Sequence, residues 1–244
     1  MRISYKPYLL PTLIFSFMLL SCQSNAGLET IITVEQVGAA ATPDKIVPIE
    51  GAPFEIPQLK RPVFPDFTIN IEEKGAKTNI PITSIVNQTI EEISQKGGGT
   101  VIIPKGKWKS GRIVLKSNVN LHLAEGSEIE FPGNAEDYLP AVFTRHEGIE
   151  IMGSGSFIYA NGEDNIAITG KGVIYGPSLD AEIRQRPNGN TVVEKDILNN
   201  APVEKRVFDG MDGRGFYKPK TISPINCTNV LIEGITMERS TFWN

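Results

Sequence analysis

The sequence predicts an all-β fold, a parallel β-helix closed at its N-terminal end by one amphipathic α-helix. Three observations lead there. From Thr100 onward the hydrophobic period is two, through TVIIP, GRIVLKS, NVNLHL, EIEF, IEIM, SFIYA, NIAIT, GVIYG and NVLIEGITM. These runs are separated by Gly, Asn, Ser or Pro, and no two neighbours are joined by a two-residue Asn-Gly hairpin loop. Three of them share one grammar: Asn118-Val119-Asn120-Leu121, Asn165-Ile166-Ala167-Ile168 and Asn229-Val230-Leu231-Ile232. Each is an Asn, then β-branched or Leu residues at alternate places, then a Gly near the next corner. Stacked coils explain this repeat, with alternate side chains filling the bore and Asn recurring at one corner. A β-sandwich is the alternative that these residues alone leave open.

The elements follow in order. The chain of 244 residues begins MRISYKPYLLPTLIFSFMLLSCQSN. Arg2 and Lys6 precede a short apolar run from Leu9 to Leu20, too short to span a bilayer, so residues 1–21 read as a signal peptide. Leu19-Leu20-Ser21-Cys22 resembles the lipobox of bacterial lipoproteins, in which cleavage precedes a cysteine that is then lipidated. Export and a lipid anchor at Cys22 are expected, at the outer membrane or cell surface, with the periplasm as the alternative. Cys227 would then be the one remaining thiol, so no intrachain disulfide can form. Residues 22–65 form a tether and N-terminal β segment, because Pro43, Pro48, Pro53, Pro57, Pro62 and Pro65 exclude a helix.

The β-helix domain is expected over 66–244. Phe67 to Ile71 alternates as a strand. Ile82, Ile85, Val86, Ile90 and Ile93 then fall at helical spacing, with Pro81 suited to a first helical position and Gly97 to a C-terminal stop. This helix would plug the first coil, which would otherwise expose its edge and core. The longest interruption of the coils is an inserted loop at about 177–220, long enough to expect a function of it.

Net charge is −4 with no basic cluster, which excludes nucleic acid as a partner class. Among single residues, His122 lies between Leu121 and Leu123 and so faces outward. Asp209 and Asp212 each precede Gly and read as turn formers. Trp108, Trp243 and Cys227 read as packing residues.

The stretch GGGTVIIPKGKWKSGRIVLKSNVNLHLAEGSEIEF resembles the N-terminal coils of family 28 glycoside hydrolases, the polygalacturonase group. So does the order LPAVFTRHEG, FIYANGEDNIAITGKGVIYG, PINCTNVLIEGITMERSTFWN. The resemblance covers residues 66–244 apart from the long loop, and departs at His146, where many bacterial members carry Trp. It implies a right-handed, pectin-lyase-like β-helix and inverting hydrolysis of α-linked galacturonate-type bonds in pectic polysaccharide, with neither metal nor other cofactor. In that family the coil resembling NVLIEGITMERSTFWN is followed by an Asn-Thr-Asp stretch, an Asp pair, a Gly-His-Gly and an Arg-x-Lys. None occurs in this sequence. The expectation is therefore an N-terminal part, incomplete at its C-terminal end, with the catalytic residues beyond Asn244 and this chain alone inactive. A pectate lyase on the same architecture and a non-catalytic glycan-binding lipoprotein are the alternatives. Candidate substrate-binding residues are Arg145 and His146, on a loop after Pro140, and Arg214 and Lys218, in the locally basic end of the insertion. Arg suits bidentate pairing with a uronate carboxylate; an Arg145–Glu147 surface pair is the competing reading.

Overall fold

A computed structural model describes residues 51, 53–55 and 61–242. The proposed signal peptide, Cys22, most of the tether and Trp243 lie outside the described residues. A first strand, β1 (Thr68–Asn70), precedes helix α1 (Thr83–Gln95). The coils then run through β2 (Gly99–Ile103), β3 (Gly106–Lys109), β4 (Ile113–Val114), β5 (Val119–Leu123) and β6 (Ser127–Glu130). Strands β7 (Val142–His146) and β8 (Ile149–Gly153) stand aside from the coils. They resume with β9 (Ser156–Asn161), β10 (Asp164–Gly170) and β11 (Val173–Tyr175). The long insertion holds helices α2 (Glu182–Gln185) and α3 (Asn190–Leu198) and strand β12 (Val207–Phe208). The last described coil is β13 (Lys220–Ile225), β14 (Thr228–Ile232) and β15 (Thr236–Glu238).

These strands make a right-handed parallel β-helix. Sheet A is ordered β1-β2-β5-β10-β14, sheet B β15-β11-β6-β3 and sheet C β13-β9-β4. Every pairing within the three is parallel. The register puts like on like. Val101, Leu121, Ile168 and Ile232 stack on sheet A, and Trp108, Ile129, Ile174 and Met237 on sheet B. All but the last member of each row are buried. Each fully buried aliphatic side chain contributes roughly 1.5–3 kcal/mol.

The corner between sheets C and A explains the repeated Asn. Asn118, Asn165 and Asn229 have φ of 62, 55 and 52°, the left-handed region that Asn tolerates better than other non-glycine residues. Their amides form a ladder. Asn165 Nδ2 donates to Asn118 Oδ1 at 3.2 Å, and Asn229 Nδ2 to Asn165 Oδ1 at 2.7 Å. Gly98 stacks beneath at φ 115°, where a Cβ would come within 2.6 Å of the Asn118 Cβ, so the stack begins on glycine.

Helix α1 buries Val86, Ile90 and Ile93, with Ile82 just ahead of it, against the first coils. It starts later than Pro81 predicted. The Ile82 amide donates to Lys109 O at 2.8 Å, which makes Ile82 the cap and leaves Pro81 outside the helix. Gly97, at φ 97°, follows its C-terminus as predicted. Trp108 packs inside as expected, donating Nε1–H to Pro104 O. Cys227 is half-buried at the rim of the core rather than inside it, since the last coil has no further coil covering it among the described residues.

One prediction about connectivity fails. IEIM is not a coil strand but the second arm of an antiparallel hairpin with β7, in which His146 pairs with Ile149. Glu147 and Gly148 turn it with φ of 47 and 87°, the two positive values of a type I′ turn. Glu-Gly here takes the place of the Asn-Gly usual in such a turn.

Candidate functional site

Insertions enter only between sheets B and C, at residues 110–112, 131–155 and 176–219. The two long ones pack on each other. Strand β12 pairs with β8, and Ile151, Val193, Phe208 and Tyr217 make a small second core outside the bore. Arg112 ties the first to the coils from a buried position, donating to Tyr138 O, Pro140 O and Ser154 O. Arg184 ties the second, donating to Pro177 O, Ser178 O, Arg239 O and Ser240 O.

Between these insertions and the end of the last coil lies a cleft of about 380 Å³, lined by residues that include His146, Glu147, Arg186, Asn188, Lys218 and Phe242. The His146 ring lies 4.1 Å from Tyr217 and 5.0 Å from Phe242, centroid to centroid. Phe208 supports Tyr217 from behind at 5.2 Å. The Lys220 ammonium sits 5.5 Å from the Phe242 ring centre and donates to Arg145 O.

The electrostatics follow from this packing. Burial, then the Lys220 charge, hold the His146 imidazole below its usual range against the opposing pull of Glu147. Burial likewise lowers Lys220. Burial, then Glu147 and Glu194, push the Tyr217 phenol up to about 12, so it stays a donor, bonded to Asn190 Oδ1 at 3.0 Å. At neutral pH the cleft thus presents a neutral imidazole, ring faces, amides, the Glu147 carboxylate, the Arg186 guanidinium paired with Glu182, and the Lys218 ammonium. Among the described residues Lys218 has no ion-pair or hydrogen-bond partner. Glu147 apart, that set suits an acidic sugar: apolar ring faces for its C–H surface and the unpaired Lys218 for its carboxylate.

The structure divides the four predicted binding residues. His146 and Lys218 meet in this cleft. Arg145, the neighbour of His146 on a strand, points to the other face and pairs with Glu150 across the hairpin at 3.0 Å, not with Glu147. Arg214 pairs with Asp196, donates to Val207 O and lies over Phe208, so it pins the insertion together. Asp209 and Asp212 accept from Met211 N and Arg214 N, each at 3.0 Å, as turn formers do. His122 faces outward as predicted, bonded to Thr169 Oγ1 at 2.9 Å.

Reasoning from sequence missed Arg186, Asn188, Asn190, Tyr217, Lys220 and Phe242. Their partners are far along the chain, and only the RPNGN and GFYKPK turn signals marked the region. A second cleft of about 370 Å³ runs past Thr83, Lys109, Glu130 and Asp137. Two of its polar groups already have partners: Thr83 Oγ1 accepts from Gly111 N, and Glu130 pairs with Arg239.

No family model matches the chain. The chain is 28% identical over 184 residues to exo-poly-α-D-galacturonosidase from Dickeya chrysanthemi, spanning 66% of this chain and 30% of that relative. It superposes with a TM-score of 0.68 and 32% identity on a hyperthermoactive exopolygalacturonase from Thermotoga maritima, covering 76% of this chain and 44% of that one. A family 28 exopolygalacturonase from Yersinia enterocolitica gives a TM-score of 0.50 and 25% identity, with 72% and 36% covered. The chain spans less than half the length of each of these relatives. Over the coils they share, it is homologous to the exopolygalacturonases of glycoside hydrolase family 28.

Proposed function

We propose that this chain carries the N-terminal coils of a pectin-degrading glycoside hydrolase of the exopolygalacturonase type, acting by inversion on α-linked galacturonate bonds. The homology to exopolygalacturonases carries this reading. The cleft of His146 and Lys218 supports it, because a uronate offers the carboxylate that Lys218 lacks. Lys218 is the charge partner for that carboxylate. His146 and Phe242 provide ring surface, and the neutral imidazole offers one donor and one acceptor. Inverting hydrolysis also needs an acid and a base carboxylate roughly 6.5–9.5 Å apart. The motifs that carry these in the family do not occur in this sequence, so the role proposed for these coils is to bind.

Calorimetric titration with trigalacturonate tests this. Binding is expected to weaken about five- to tenfold in Lys218→Met and with rising salt, as for loss of one charge-assisted contact. Neutral galactotriose is expected to bind about five- to tenfold more weakly than trigalacturonate and to be insensitive to Lys218→Met. Equal affinity for both sugars, or an unaffected Lys218→Met, sinks the reading. Reducing ends are expected not to accumulate with this chain alone, and an ultraviolet-absorbing unsaturated product would point to a lyase instead. We further propose export and anchoring through lipidated Cys22. Cys22→Ser is expected to move the protein from the membrane to the soluble fraction, and an unchanged distribution would exclude the anchor.

A further inference from the structure

Residues 61–65 do not belong to any coil, yet three of them touch three different coils. Pro65 sits against Gly98 at the start of β2, where a Cβ on that glycine would lie 3.2 Å from Pro65 Cδ. The Val63 carbonyl accepts from Asn165 Nδ2 at 2.9 Å, at the start of β10. Arg61 pairs with Glu233, just past β14. In sheet A, β2 and β14 are three spacings apart, about 14 Å at ~4.8 Å each. Four residues of extended chain cover about 13–14 Å. From Pro65 to Val63 the segment crosses the stacked strands at the asparagine corner, and the Arg61 side chain reaches on to Glu233, four residues past Asn229 at the other end of β14. Pro62 and Pro65 restrict it to extended conformations, which lowers the entropy lost on docking.

We propose that the asparagine corner is a docking track for an extended peptide and that residues 61–65 of this chain are its occupant. The chemistry of recognition is specific. A ladder amide whose second N–H is not consumed by the ladder meets a backbone carbonyl, a glycine makes room for a proline ring, and a carboxylate at the last coil meets a cation. The strap thereby couples coils that otherwise touch only their neighbours. It also fixes where the upstream tether joins the domain. Val63 is held at the corner where sheet C ends, whereas the cleft lies where β13 begins, about 16 Å of strand away. A ligand in the cleft would therefore not meet residues 61–65. This last consequence rests on the function proposed above; the strap does not.

Hydrogen exchange on the full chain tests the proposal with Arg61→Ala, Glu233→Gln and the double variant. Amides of 61–67 and 228–233 are expected to exchange roughly two- to fivefold faster in either single variant, the range for a partly exposed ion pair. The double variant is expected to add nothing, and α1 to stay unchanged. Unchanged exchange at the corner overturns the strap, and so does equal acceleration throughout the domain. Trigalacturonate binding by Arg61→Ala is expected to match the parent. A loss confined to the variant would overturn the remote placement, whereas absence of binding in the parent would count against the proposed function alone.

Discussion

Asn165 shows how one side chain can do two jobs, of which glycine can do one and alanine neither. Its backbone sits at φ 55° and its amide joins the rungs above and below. Asn165→Ala loses both and is expected to cost about 1–3 kcal/mol, read from the urea midpoint. Asn165→Gly keeps the backbone conformation and is expected to cost less. The periodic Asn was visible in the sequence because the conformation and the ladder both depend on that residue type. His146 is the opposite case. Its charge state depends on Tyr217, Lys220 and Phe242, all more than seventy positions away, and nothing local reports them. Its folded pKa lies below the unfolded value of 6.5, so the unfolded state binds the proton more readily. Stability should then be full above about pH 6.5 and fall as pH drops from there toward the lowered folded value. His146→Phe is expected to flatten that part of the stability profile, and an unchanged slope would assign it to another group.

At the scale of elements, α1 is held by its apolar stripe rather than by its caps. Its N-cap Ile82 makes no side-chain cap bond, whereas Val86, Ile90 and Ile93 are fully buried. Ile90→Ala is expected to destabilise the domain by about 2–5 kcal/mol in chemical denaturation, a cavity-forming change at a closed site. A loss below 1 kcal/mol would mean that the helix is not integral to the core. Helix period and strand period were both legible because burial on one side forces them. The hairpin of β7 and β8 was not, since its second arm buries Ile151 in a satellite cluster, with Ile149 packed against it. Its alternation is indistinguishable from that of a coil strand. The insertion likewise reads as polar and turn-rich, yet it folds, because Arg214, Arg184 and Phe208 find partners that spacing along the chain does not reveal.

For the molecule as a whole, the coils account for the fold and the insertions for the cleft. Parallel stacking repeats one short pattern, so a single sequence discloses it. A cleft assembled from 146–147, 186–190 and 216–218 has no repeat to disclose it. The corners are just as unequal. On one side of sheet C the chain turns within a few residues, on a left-handed Asn, every time. On the other it departs for anything between 110–112 and 176–219. Counting and chemistry are thereby kept on opposite edges of the same sheet. The short corner resets the register after each departure, so the far side can lengthen, shorten or exchange its segments without shifting a single rung. A lineage built this way can revise what it binds while the count of its coils stays fixed.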